Sequence, residues 1–387
     1  MRIALFGPAP PLHGGIVTYL AMLHRVLAER GHAVHWAGFR RQYPDRLFPG
    51  RSQTGDVAAW MPSPDERIFV PWSPRSWGRA ARAIADFRPD AVVLKYWIPY
   101  FAPGFWGVTR WLRRHTGARV VYILDNVVAH ERYPLAGPLT RAALRQGHGF
   151  VAQSEQVRRD LEAVVPGIAP EQVRLCPHPV YDFGVPGRPR RDRSAARRAV
   201  GVPDDVRLVL FFGYIKPYKG VRHLIEAAPR LRERYGDKVR VLIVGDVYGD
   251  RDEYTGLIEE LGVGDVVTLR DGYVPDEAVE DHFLAADVVA LPYVSATQSG
   301  IVQIAYNYDL PVVSTRVGGL PEVVLDGETG LLVPPADPDA LADALVRYFD
   351  QDLRERFAAA VAREKGKYTW DRMAATVEEL AAGEGGA

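Results

Sequence analysis

The chain has a single cysteine, Cys176, in 387 residues. It can form no internal disulfide, which fits a reducing compartment. It also lacks a charge surplus: lysine plus arginine number 48, and so do aspartate plus glutamate. Bulk electrostatic binding to nucleic acid needs a basic excess, so that class is set aside. No uninterrupted apolar run reaches the roughly 18 residues needed to cross a membrane as a helix. The opening residues Met1-Arg2-Ile3-Ala4-Leu5-Phe6-Gly7 are too short an apolar run for a secretory signal, and they end in a Gly/Pro turn. A soluble, cytoplasmic protein is expected, with peripheral contact at the inner face of the cell membrane left open.

What the chain does have is alternation. Short apolar runs alternate with helical patterns, the signature of an α/β fold with parallel sheets. Strands are expected at residues 3–6, 33–38, 91–95, 120–124, 149–153 and 173–176, then at 208–212, 239–244, 266–269, 288–291, 312–314 and 331–333. Residues 39–74 show no clear period and read as a long excursion. A composition break after Pro177 leads into a Gly-, Pro- and Arg-rich stretch. The expected division is a first Rossmann-like domain over 1–183, a linker over 184–193 and a second Rossmann-like domain over 194–367. A helix capped by Ser194 should open the second domain, and an amphipathic helix containing Trp370, Met373, Val377 and Leu380 should close the chain. Tandem domains of this kind bind ligands at the carboxyl ends of their strands, which places a cleft there.

Five segments could carry chemistry at such strand ends. In residues 208–220, an apolar run stops at Gly213, a turn carries Lys216 and Lys219, and Gly220 precedes a helix. Strand end, Gly-bounded turn and helix N-terminus together suit a phosphate or diphosphate. Residues 291–303 repeat the theme: Thr297, Gln298 and Ser299 precede Gly300 and a helical pattern that includes Gln303. Thr297 or Ser299 can cap that helix, and its N-terminus can still face an anion. Gly14 and Gly15 open the first helix and would let backbone approach a ligand, although a plain strand-to-helix turn explains them too. Asp125 and His130 follow a strand. His130 is suited to a phosphate or sugar hydroxyl, and Asp125 to accept from a hydroxyl or orient the loop; an Asx turn with a solvated histidine accounts for the same residues. The loop Val317-Gly318-Gly319-Leu320-Pro321-Glu322 decides nothing alone. Trp97, Tyr100 and Phe101 could stack on an acceptor sugar or serve as interdomain packing. The basic aromatic stretch 105–115 reads either as a core-packed helix with a solvated arginine face or as a helix lying on an anionic membrane.

Taken together, these segments resemble the retaining glycosyltransferases of family 4, which have the GT-B fold. The resemblance rests on Lys219-Gly220, the run Asp287-Val288-Val289-Ala290-Leu291-Pro292, Leu310-Pro311-Val312-Val313, Gly318-Gly319-Leu320-Pro321-Glu322 and Gly327-Glu328-Thr329-Gly330. It implies two Rossmann-like domains facing a central cleft. It also implies a C-terminal helix, 368–382, that crosses back to the first domain. The implied activity is transfer of a sugar from a nucleotide-diphosphate donor to a hydroxyl acceptor with retention of configuration, in glycan, polysaccharide or glycoconjugate synthesis. By resemblance, Lys219 binds the donor diphosphate, Gly15 approaches it, Val274 lies where backbone contacts the nucleobase, and Glu322 belongs to the donor site. The resemblance also implies no cofactor and no metal, because cations and helix N-termini offset the charge of the leaving diphosphate; no Asp-x-Asp stands at an obvious strand end, which agrees. The acceptor would be a sugar, a lipid-linked compound or a small molecule.

Two departures stand out. Tyr214 occupies the usual place of an arginine, a charge that Lys216 could supply. Ala296 and Ile304 stand where the family carries a Glu-x7-Glu pair, as in a variant branch with Ala-Thr-Gln-Ser-Gly. Gln298, Ser299 and Gln303 are the nearby polar alternatives. A non-catalytic nucleotide-sugar-binding or partner subunit is therefore the competing reading, and a nucleotide-sugar epimerase on the same fold a third.

Overall fold

The computed structural model describes residues 1–44, 53–55, 57–128, 135–182 and 191–383. The chain forms two compact units. Unit 1 is Met1–Pro179 with Thr369–Ala387, and unit 2 is Val180–Tyr368. The expected linker over 184–193 falls within unit 2, and its residues 184–190 lie outside the described ones. The reason is visible at its end: Arg191 pairs with Asp281 at 2.7 Å and Arg193 with Asp287 at 2.6 Å, both partners in unit 2.

Among the described residues, unit 1 holds a seven-stranded parallel sheet. Its strands are β1 Arg2–Gly7, β2 Ala33–Phe39, β3 Glu66–Phe69, β4 Ala91–Tyr96, β5 Arg119–Leu124, β6 Gly149–Ala152 and β7 Val173–Leu175. Their order is β3-β2-β1-β4-β5-β6-β7. Its helices are α1 Gly15–Glu29, α2 Pro74–Asp86, α3 Ala102–His115, α4 Ala136–Leu144 and α5 Glu155–Val164. The central strands are buried on both faces, which is why they read as continuous apolar runs. An aromatic cluster of Phe6, Phe39, Phe69, Phe101 and Phe105 packs beside them.

Unit 2 contains α6 Arg193–Val200, β8 Arg207–Phe212, α7 Val221–Tyr235, β9 Val239–Gly245, α8 Arg251–Glu260, β10 Val267–Asp271, α9 Asp276–Ala285 and β11 Val288–Leu291. It continues with α10 Gly300–Asn307, β12 Val312–Thr315, α11 Leu320–Val323, β13 Gly330–Val333, α12 Pro338–Asp350 and α13 Arg354–Glu364. Its parallel sheet runs β10-β9-β8-β11-β12-β13. The last helix, α14 Trp370–Ala382, belongs to unit 1. There Trp370 meets the Tyr19 ring edge-on at 4.9 Å, and Glu378 pairs with Arg30 at 2.7 Å.

Two expectations need correction. The excursion over 39–74 contains β3, a four-residue edge strand paired to β2 across a register shift at Gly38/Phe39. A half-exposed run of four residues carries too little periodicity to be read. The cap of α6 is Asp192, which accepts from the Ala195 amide at 2.7 Å, and not Ser194.

Candidate functional site

In a doubly wound sheet, ligands collect where the strand order reverses. In unit 2 that point lies between β8 and β11, so the segments following these two strands flank it. They are the lysine-bearing turn and the Thr297–Gly300 segment, the two strongest anion-site candidates in unit 2.

The turn is held in place by its neighbours. Gly213 donates to Val244 O at 3.0 Å and Ile215 to Asp246 O at 2.8 Å, extending the β8–β9 pairing. Gly220, at φ +66°, presses on the end of β11; a Cβ there would overlap the Pro292 carbonyl oxygen. Only glycine meets both conditions. Lys219, in the short 3-10 turn Pro217–Lys219, is thereby brought over Tyr293, with its Nζ 3.7 Å from the ring centroid. The Tyr293 hydroxyl hydrogen-bonds to Ser299 Oγ at 3.2 Å, and Ser299 caps α10 by accepting from the Ile301 amide at 3.3 Å. A cation, an aromatic ring and a helix N-terminus therefore form one continuous arrangement. Among the described residues, Lys219 makes no ion pair and no side-chain hydrogen bond. Burial, with Lys216 adding to it, pushes its ammonium pKa down to about 8. This is a charge held without a counter-ion.

The remaining donor-side residues surround this point. Gly300 opens α10, and Gln303 is buried one turn further on, its Oε1 without a partner among the described residues. Thr297 is buried, its carbonyl accepting from the Gly319 amide at 3.0 Å, while Gln298 is half-buried. Gly318 stands so close to Ala296 that a Cβ would overlap its carbonyl oxygen, so the Gly-Gly loop abuts the Thr297 segment. Glu322 is exposed on α11. Tyr214 is 36% exposed and meets Tyr248 edge-on at 4.9 Å; Lys216 Nζ lies 5.2 Å from the Tyr248 centroid. Lys216 thus stays on the side of the turn where the arginine is missing. Val274 lies between β10 and α9, beside Tyr273, whose hydroxyl donates to Asp276 at 3.2 Å. Burial pushes the Asp276 carboxyl up to about 6.

In unit 1, Gly14 immediately precedes α1 and Gly15 is its first residue, at the carboxyl end of β1 next to that sheet's own reversal point. Asp125, at the end of β5, is only 6% exposed and accepts from Lys95 Nζ at 2.6 Å. Lys95 also donates to Gln153 at 3.1 Å and sits 3.5 Å from the Tyr19 ring centroid. His178 stacks edge-on against Tyr19 and is pushed down to about 3 by burial and by Lys95, so it is neutral. This geometry assigns Asp125 to an ion pair that anchors the strand-end loop. His130 lies outside the described residues. Trp97 and Phe101 are buried in the aromatic cluster, which removes them from sugar stacking; Tyr100 lines a surface cavity.

Sequence reasoning missed Lys95 and Tyr293. Lys95 had a signal: a lysine inside a strand buried on both faces must find a carboxylate. Tyr293 had none, because nothing in the sequence places it under Lys219.

The family model for Glycosyltransferase Family 4 matches residues 13–182, and that for Glycosyl transferases group 1 matches residues 206–351. A D-inositol 3-phosphate glycosyltransferase of Acidothermus cellulolyticus is 30% identical over 398 residues, covering 95% of this chain and 84% of the relative. The chain belongs to the family 4 glycosyltransferases. A Corynebacterium urealyticum protein of the same name is 39% identical over 203 residues, and here the alignment spans 50% of this glycosyltransferase and 47% of the relative. The chain spans about half the length of this and several other Corynebacterium relatives of the same name. Among solved structures, sucrose-phosphate synthase from Thermosynechococcus elongatus superposes with a TM-score of 0.75 at 20% identity, over 99% of this chain and 98% of that one. Anabaena HepE in complex with UDP-glucose superposes with a TM-score of 0.74 at 17% identity, over 99% of this chain and 100% of that one. These likenesses establish the GT-B fold.

Proposed function

We propose that this family 4 member transfers a sugar from a nucleoside-diphosphate donor to a hydroxyl acceptor with retention at the anomeric carbon. The observation that carries this reading is Lys219, held over Tyr293 beside the N-terminus of α10 with no carboxylate partner. A partly desolvated ammonium in that setting calls for an anion, and a leaving diphosphate has the right charge and size. In the proposed step, the acceptor oxygen forms its bond to the anomeric carbon on the face from which the diphosphate departs. The bond from carbon to the phosphate oxygen breaks, and that oxygen takes the acceptor's proton. Lys219, Lys216 and the amides at Ser299 and Gly300 stabilise the charge that grows on the diphosphate, an electrostatic contribution strongest in the transition state. With these groups supplying the positive charge, the reading calls for no metal ion.

UDP, the nucleotide named with the HepE neighbour, is the first donor probe. Lys219→Ala should lower donor hydrolysis or transfer by about 100-fold, as removal of a transition-state donor does, while circular dichroism stays unchanged. Turnover at the wild-type rate would refute the assignment. The competing reading, a non-catalytic subunit, draws on the buried apolar Ala296 and Ile304. It predicts nucleotide binding with no turnover by the wild-type chain.

A further inference from the structure

Unit 1 carries a feature that the transfer chemistry does not use. A cavity of about 400 Å³ opens at the N-terminal ends of α2 and α3, lined by Pro71, Trp72, Trp77, Pro99, Tyr100 and Leu139 among others. It lies past the carboxyl ends of β3 and β4, the side of the sheet where ligands bind. Its walls are poor in free hydrogen-bonding groups. The Trp77 indole N–H already donates to the carbonyls of Val70 and Pro71, at 3.1 Å each. What remains polar on the lining side chains is the Tyr100 hydroxyl and the Trp72 indole N–H. A sugar ring would find few partners here, whereas a hydrocarbon chain is matched.

The two helices below the cavity are basic. Arg75, Arg79 and Arg82 recur at helical spacing on α2 and are exposed. Arg110, Arg113 and Arg114 recur likewise on α3, which has no acidic residue; Arg113 and Arg114 are exposed and Arg110 is half-buried. Among the described residues, Arg75, Arg79, Arg82, Arg110 and Arg114 form no ion pair. The helices lie side by side because Gly107 admits the Trp77 ring and Gly104 the Phe69 ring with the Trp77 indole beside it; a Cβ on Gly107 would overlap Trp77, and one on Gly104 would overlap Phe69. Two exposed tryptophans belong to this region: Trp72, two residues before α2, is 43% exposed, and Trp106 on α3, 38% exposed, carries the Arg110 guanidinium 5.4 Å from its centroid. Arginine and tryptophan together, on a chain of zero net charge, form a local surface that complements anionic headgroups and their apolar boundary.

We propose that the α2–α3 face of unit 1 docks onto an anionic lipid bilayer, and that the cavity takes the hydrocarbon chain of a membrane lipid. Resting on the transfer reading, the proposal makes the acceptor a lipid-borne hydroxyl compound. No helix of the described residues is long and apolar enough to cross a membrane, so the contact is peripheral.

The test uses the full chain and needs no turnover. The protein is sedimented with vesicles of phosphatidylcholine alone or mixed with phosphatidylglycerol, and with brominated phosphatidylcholine in a parallel set. Partitioning should be stronger on the anionic vesicles and should weaken with salt. R75Q/R79Q/R110Q should lower it at least about ten-fold, since each arginine near an anionic surface adds to the attraction. Brominated lipid should quench tryptophan fluorescence, and Trp72→Ala with Trp106→Ala should reduce both quenching and binding. Each variant is checked by its UDP-induced thermal shift, which reports unit 2 and the nucleotide site independently. Equal binding to neutral and anionic vesicles, wild-type binding by the triple variant, or absence of quenching would each overturn the proposal. A loss of the UDP shift in the wild-type chain would instead count against the transfer reading alone.

Discussion

Replacing Lys219 by methionine separates what the ammonium does for binding from what it does to the fold. In the free protein burial lowers its pKa from the ordinary 10.5 to about 8. That difference corresponds to about 3 kcal/mol of unfavourable free energy for keeping the charge. Partial solvent contact reduces the realised penalty, and the Tyr293 ring returns about 1–2 kcal/mol through its contact with the ammonium. The net expectation is that K219M stabilises the free protein by about 1 kcal/mol, or about 2–4 °C in the melting of a domain this size. The pH dependence follows the same sign. Between about pH 8 and 10.5 the unfolded chain holds a proton that the folded one has released, so wild-type stability rises with pH across that window. K219M lacks this contribution. UDP binding runs the other way: it needs the ammonium, so wild-type affinity should fall as pH rises through about 8. Calorimetry on both proteins, with and without UDP, over that range is the assay. A saturating nucleotide at 100 times its Kd should add about 2.7 kcal/mol to the wild type and close to nothing to K219M. A folded K219M that melts below the wild type, or that keeps the UDP shift, would show that Lys219 is not a desolvated charge held for the nucleotide.

Lys95→Met leaves Asp125 buried without its cation, and urea unfolding should show a loss of about 3–5 kcal/mol; K95M combined with Asp125→Leu should recover part of it. Gly220→Ala places a Cβ against the Pro292 carbonyl at a positive φ, so it should destabilise unit 2 by more than about 1 kcal/mol and weaken UDP binding in titration calorimetry. Ser299→Ala removes the cap of α10 and the partner of the Tyr293 hydroxyl. It should lower stability by about 0.5–2 kcal/mol and weaken UDP binding beyond what the loss of the cap accounts for.

Most strands were legible because a parallel strand covered on both faces leaves an uninterrupted apolar run ending in glycine, proline or a polar turn. The runs at 208–212 and 288–291 are of this kind, and both motifs following them could be read as anion sites. Strand β3 was not legible, since an edge strand has one neighbour and needs little apolar content. The partner of Asp125 was not legible for a related reason: Lys95 is 30 residues away, and local spacing carries no information about such a pair.

The alternating α/β pattern, the two glycine-bounded turns and the lysines at one of them were set locally in the chain, because backbone conformation and burial impose local residue choices. Which of those residues act together depends on the folded chain. The strand order brings the ends of β8 and β11 side by side, and Gly220 locks them. Lys219 comes to rest over Tyr293 rather than against a carboxylate, and Lys95 claims Asp125. These are long-range juxtapositions, set by how the strands are ordered in each sheet, and no local pattern encodes them.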